Sequence, residues 1–425
     1  MGIVLNQSFK NTLIVYLAFA VGGINTLFLY TRFLDEDYYG LVTFLLSSSN
    51  LLMPLTAFGV QYTIVKFYSS YESKLERDKF LSLAMVLPLL IAIPLGFLGS
   101  MFYEQISALL SIKNPIIKEY TFVIYLVAVA TAYFEVFYAW SKVQFRSVFG
   151  NFIKEMYNRL VVMILLFSVY FKFITEKEFI YYLTAAYFLR LLIMMLYAFK
   201  LYLPKFSFSL PENYKEIFRY SLYIILAGSA GAILLDIDKV MIPAKEEIAL
   251  AAYYTVAVFI GSAIEAPGRA MLQILQPLTS RAINDNNFEE VHKLYKQSSI
   301  NLLLVGGLLF LLVNLNINEL FKLVQPNGKI IISVPVMIGV PFLIQRAAMK
   351  ILGLHPEKIS LSQFFKCVLL KNTDGLEKKW AGGHLGFNHI KLEIELSKNF
   401  NLVSHSVFFS KLYEITSMKT NSITK

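Results

Sequence analysis

Along most of this chain, apolar runs alternate with short polar segments about every 25 to 40 residues. That is the rhythm expected when roughly 20 apolar residues are needed to cross a bilayer. The runs are Asn11–Tyr30, Leu41–Phe67, Phe80–Phe102, Tyr120–Trp140, Leu160–Phe173, Phe179–Phe199, Tyr220–Met241, Leu250–Pro267 and Ile300–Leu315. They predict about nine membrane-spanning helices, the fifth, eighth and ninth being short and drawing on flanking residues. The first run is longer than the apolar part of a signal peptide and lacks a small-residue cleavage site, so it reads as a retained span. After Pro326 the rhythm stops and the sequence takes on the look of a soluble α/β protein.

The polar segments alternate in charge. One set holds Lys10; Lys74, Arg77 and Lys79; Lys142, Arg146 and Lys154; Lys200, Lys205 and Lys215; and Arg281, Lys293 and Lys296. The other holds Asp35, Glu36 and Asp37; Glu104; Glu176 and Glu178; Glu246 and Glu247; and Glu319. Basic loops stay in the cytoplasm, which puts the N-terminus there. Residues 1–199 form a first lobe of six helices. Residues 200–219, with Pro204 and Pro211, read as a cytoplasmic linker, and 220–325 as half of a second lobe.

Composition supports a lipid-facing surface. Hydrophobic residues make up 56% of the chain and charged residues 16%, against about 25% charged in soluble domains. The net charge of +10 does not point to nucleic acid, because the basic residues fall in short loops between apolar runs. The single cysteine, Cys367, excludes an intrachain disulfide and argues against a metal cluster. The chain holds no P-loop, which disfavours ATP-driven transport.

Charged side chains at membrane depth face a bundle interior, a water-filled cavity or one another. The candidates are Glu135, Arg190, the group Asp236, Asp238 and Lys239 closing the seventh run, and Glu265 and Arg269 flanking Pro267. Glu135 and Arg190 suit either a substrate or ion path or a structural role. Asp236, Asp238 and Lys239 suit either a path or the membrane interface. Glu265 and Arg269 fit best at a cytoplasmic helix end broken by Pro267. An acidic group in a cavity could bind a coupling proton or sodium ion, and a basic one a phosphate.

Thr31-Arg32-Phe33-Leu34-Asp35-Glu36-Asp37-Tyr38-Tyr39-Gly40 resembles the R-x-L-x-x-x-x-Y-G loop of polysaccharide-exporter flippases, within the multidrug/oligosaccharidyl-lipid/polysaccharide exporter superfamily. Asp238-Lys239-Val240-Met241, followed by Ala252-Tyr253-Tyr254, resembles that family's D-K-x-M … Y pattern, and Pro277 fits as well. The likeness covers residues 1–325. It implies translocation of undecaprenyl-diphosphate-linked oligosaccharide between membrane leaflets by alternating access of two lobes, driven by an ion gradient and without cofactor or covalent chemistry. It adds Arg32 to the path candidates. Such flippases have twelve or more spans, so the chain reads as a truncated relative whose transport is in question. A drug or small-molecule exporter of the same superfamily is the nearest alternative.

Residues 326–425 resemble the C-terminal part of class I S-adenosylmethionine-dependent methyltransferases. The likeness rests on the run Lys329–Pro335 after Pro326-Asn327-Gly328, on Gly382–Asn388, on the helix-like Lys391–Lys398 and on the strand-like Phe400–Ser404. A tenth span over Ile330–Ile344 is the competing reading. The family's glycine-rich cofactor loop and its ribose-binding acidic residue are missing, which implies no cofactor binding and no methyl transfer. His384 reads as a turn residue rather than a base. A membrane-tethered methyltransferase relic remains the alternative, and the abrupt change at Pro326 suggests a junction between two neighbouring genes by deletion or assembly error. The expected whole is an all-α polytopic membrane protein of about nine spans in a truncated two-lobe exporter fold, with a small α/β C-terminal fragment.

Overall fold

The computed structural model describes residues 2–144, 146–207, 209–284, 287–324, 330–335, 366, 389–407 and 410–418. It divides into two compact units, Met1–Pro326 and Asn327–Lys425.

The first unit is helical. Its elements are α1 (Gly2–Ile24), a π-turn (Asn25–Leu29), α2 (Tyr30–Phe33), α3 (Glu36–Ala57), α4 (Val60–Phe67), α5 (Lys74–Met101), α6 (Tyr103–Leu110), α7 (Ile116–Val143), α8 (Ser147–Phe152), a second π-turn (Ile153–Tyr157), α9 (Asn158–Tyr170), α10 (Glu176–Leu201), α11 (Tyr214–Lys245), α12 (Ala249–Asn284) and α13 (Phe288–Val324). Local chemistry fixes several starts. Asp35 caps α3 by accepting from the Asp37 amide, and Thr175 and Glu178 form a capping box at α10. Such side chains satisfy amides that the first helical turn leaves without partners.

Six helical segments are long and apolar enough to cross a membrane: Leu13–Phe33, Glu36–Ala57, Lys74–Met101, Ile116–Val143, Glu176–Leu201 and Phe288–Asn316. The fifth, seventh and eighth runs lie in helices other than these six. The α8–π–α9 segment extends back to Ser147 and takes in Lys154, Glu155 and Arg159. The α11 helix is 32 residues long and includes Asp236, Asp238 and Lys239. The α12 helix is 36 residues long and includes Glu265 and Arg269.

Four expectations need correction. The second run is not one helix, because Phe58 (φ 49°) and Gly59 (φ 65°) both adopt the left-handed conformation and separate α3 from α4. The fifth helix begins at Ser147 rather than near Leu160, since Asn151, Ile153 and Met156 are buried against neighbours and the half-buried Lys154, Glu155 and Arg159 find ion-pair partners there. Pro267 does not break α12, which continues to Asn284; freed backbone groups in such helices find partners in their neighbours. The linker is also shorter than expected, since α10 ends at Leu201 and α11 begins at Tyr214. Tyr202 anchors the linker start by donating to the Asp78 carboxylate at 2.6 Å. Burial and that carboxylate together push its hydroxyl up to about 12.

Two apolar clusters hold the helices together. One joins α3, α7 and α10 to Ile248, Ala252, Val256 and Ile260 at the start of α12. The other packs Phe134, Trp140 and Phe80 with Ile217 and Ile225 of α11. Both α11 and α12 are therefore packed on the first six crossings, α11 along α3 and α4 and α12 along α1 and α3.

In the second unit, β1 (Ile330–Pro335), α14 (His389–Asn399), β2 (Phe400–Val407) and β3 (Ser410–Met418) are described. The strand order is β1-β3-β2, with β3 antiparallel to both neighbours. The strands β1 and β2 thus run in the same direction on either side of β3. Gly382–Asn388, with His384, lies outside the described residues.

Candidate functional site

The seam where α11 and α12 meet the first six crossings concentrates the polar groups. At its middle, the Asp236 carboxylate is only 9% exposed. It accepts from Ser47 Oγ at 3.1 Å and Asn50 Nδ2 at 3.0 Å, both on α3, and from Lys239 Nζ at 2.9 Å, one turn along α11. A carboxylate taken out of water costs several kcal/mol unless paired and hydrogen-bonded, roughly as found here. Asp238 accepts from Tyr254 of α12 at 2.8 Å, so the Asp238-Lys239 motif and the tyrosine that follows it are directly joined.

A second group lies among α7, the α8–α9 segment and α10. The Glu135 carboxylate pairs with Lys154 Nζ at 2.7 Å. Glu155 pairs with Arg159 at 3.1 Å, one helical turn away. Arg190 is 5% exposed, and its guanidinium lies 3.7 Å from the centre of the Phe134 ring. Among the described residues Arg190 forms no ion pair within 4 Å, and its Nε has no hydrogen-bond acceptor. Lys142 and Lys154 flank the Tyr138 ring at 4.0 and 5.5 Å. Cations therefore outnumber carboxylates here: Lys142, Lys154, Arg159 and Arg190 against Glu135 and Glu155.

The two π-turns connect this group to the seam. Asn25, in the first π-turn, donates to the Arg159 carbonyl, just past the second, at 2.7 Å. Gly22 lets α1 approach closely, since a Cβ there would lie 2.9 Å from Arg159 Nε. On the same stretch of α1, Phe19 stacks on Phe259 of α12 at 4.8 Å. Tyr187 of α10 lies within electrostatic reach of Arg190, Arg159 and Asp236. π-turns inside membrane helices recur at functional sites because they offset the helical register and free backbone groups.

The structure thus brings together most of the residues singled out in the sequence, with different partners. Glu135 and Arg190 share a neighbourhood, but Glu135 pairs with Lys154. Arg32 is exposed in the last turn of α2 and stands apart from the buried groups. The side chains of Glu265 and Arg269 lie outside those described. Ser47, Asn50, Asn25, Lys154, Glu155, Arg159 and Tyr187 were not singled out. The signal available for Glu155 and Arg159 was their i, i+4 spacing, typical of a helical ion pair.

Neither the curated proteins nor the solved structures compared include a match to this chain. The family model described as polysaccharide biosynthesis protein matches residues 8–267, more than half of the chain, and takes in every helix of the polar groups just described. With its apolar crossing helices and that match, the chain is a multi-pass membrane protein that belongs to the polysaccharide biosynthesis protein family.

Proposed function

We propose that this chain moves an undecaprenyl-diphosphate-linked oligosaccharide from the cytoplasmic to the outer leaflet of a bacterial inner membrane. In this reading the six apolar helices and the three polar ones together make nine crossings, with the N-terminus in the cytoplasm. The route runs between α3, α7 and α10, which carry Ser47, Asn50, Glu135 and Arg190, and the three polar helices. The observation that carries the reading is Arg190: a guanidinium 5% exposed, with an unsatisfied Nε and no paired carboxylate among the described residues. A buried cation with no carboxylate in direct contact is costly, and a diphosphate would supply both a contacting charge and the missing acceptors.

Lys154 and Arg159 extend that cationic surface, each released from its carboxylate as the phosphates arrive. Asp236, held against Lys239, is the group best placed to exchange a coupling proton or sodium ion. The tail contributes no chemistry. A deletion strain that accumulates the lipid-linked oligosaccharide on the cytoplasmic face, cleared by a plasmid copy, supports this function. Normal surface glycan in that strain overturns it. Restored drug resistance without glycan change would favour a small-molecule exporter instead, and S-adenosylmethionine binding by the purified chain a methyltransferase relic. A reporter fused at the C-terminus tests the nine crossings, since an odd number puts the tail outside.

A further inference from the structure

The turn between α11 and α12 is fastened by a side chain from the other half of the seam. Asn114, between α6 and α7, is 7% exposed. Its Nδ2 donates to the carbonyls of Pro243 at 2.7 Å and Glu246 at 2.8 Å, and its Oδ1 accepts from the Ile248 amide at 2.9 Å. One carboxamide thus spends three of its four hydrogen-bonding positions on a single turn. The two carbonyls belong to the end of α11 and the amide to the start of α12, where helices leave backbone groups without internal partners.

The same end of the seam is closed by shape. A Cβ on Gly40 would overlap the Ile248 carbonyl, so α3 touches the turn through bare backbone. Tyr253 donates to Glu36 beside it. One turn further in, Thr43 is 7% exposed and meets Thr255 at 3.5 Å. At the opposite end, Thr63 and the fully buried Ser221 are hydrogen-bonded at 2.8 Å. A polar headgroup can enter between the halves only if one end parts. The bonds of Asn114 are neutral and can be exchanged for water, whereas parting Asp236 from its partners uncovers a charge. At the end bearing Asp35, Glu36 and Asp37, Asn114 makes three hydrogen bonds across the seam, more than any other side chain named there.

We propose that Asn114 is the latch of this acidic end, a positioning residue that sets how often the seam opens there without touching substrate. Its purpose rests on the transport reading, but its action is measurable without any substrate. The test uses the full chain in liposomes, with the single native cysteine replaced (Cys367→Ser) and one reporter added, Thr43→Cys or Ser221→Cys. Maleimide reactivity of a buried thiol follows the population of the open form.

With Asn114→Ala, the Thr43→Cys reporter should react at least about tenfold faster, the shift that corresponds to roughly one of the three hydrogen bonds lost. The Ser221→Cys reporter should react no faster. Asn114→Asp, which turns a carboxylate towards two carbonyls, should act in the same direction. An unchanged Thr43→Cys rate overturns the latch, and so does an equal rise at both reporters, which would mean general loosening. A chain that exports no saccharide would leave the accessibility result standing, so the two readings fail separately.

Discussion

Lys154 Nζ lies 2.7 Å from the Glu135 carboxylate, tying the inner face of α7 to the π-turn between α8 and α9. Glu135 also draws on Lys142 and Arg190 nearby. Removing either partner strands the other in a largely enclosed place. Glu135→Gln and Lys154→Met should each lower stability in detergent by about 1–3 kcal/mol, less than for a fully enclosed pair because Lys154 is partly accessible. A double-mutant cycle read by thermal unfolding should give a coupling energy of at least about 0.5 kcal/mol. Additive losses would mean that the two groups are neighbours without being a pair.

Asp236 separates stability from transport. Ser47 and Asn50 on α3 donate to different oxygens of Asp236, so in Asp236→Asn the carboxamide oxygen keeps one of these two bonds, and Lys239 loses its counter-charge. The fold should survive with a loss of about 1–2 kcal/mol, while export of the saccharide falls sharply, because an amide takes up neither a proton nor sodium at physiological pH. Asp236→Ala strands all three donors and should cost more stability. Export by Asp236→Asn at the parental level would remove Asp236 from the coupling step.

Gly40 makes a steric prediction. Gly40→Ala places a methyl group on the Ile248 carbonyl. That contact is with backbone at a packed turn, so it cannot be relieved by a side-chain rotation. The expected cost is about 1–3 kcal/mol, in the range for overpacking. Thermal unfolding of the variant against Gly22→Ala, where the obstacle is the flexible Arg159 side chain, should show the larger loss at Gly40.

The apolar crossings were legible in the sequence because lipid-facing helices must be apolar nearly throughout. The polar first half of the fifth helix was not, and for the same reason. A search for apolar runs began the fifth helix at Leu160, past Lys154, Glu155 and Arg159, although these residues meet α1, α7 and α10. Charge in a loop and charge in a buried half-helix look alike until the neighbours are known. Asp236, Asp238, Glu135 and Arg190 stood out because each interrupts an apolar run. Asn114, Asn50 and Ser47 did not, since small neutral polar residues are ordinary at loop ends and in membrane helices. Their importance lies in the backbone and carboxylate groups they reach, which only the fold specifies.

The break between α3 and α4 gives the last prediction. Phe58 and Gly59 are both left-handed, an arrangement that costs a residue with a side chain about 1–2 kcal/mol. Neighbours hold it in place: Phe58 is buried with its ring 5.2 Å from Phe218, and Gly59 lies against the Ser221 carbonyl and Ile224. All three neighbours are on α11, so the break is braced by that helix. Gly59→Ala adds both a strained backbone and a collision with α11, and should cost about 2–4 kcal/mol. Ile224→Ala removes part of the collision, so the double variant should recover some of that loss. If Gly59→Ala unfolds at the parental temperature, α4 is free to swing away from α11 at rest, and the break is a loose joint rather than a braced one.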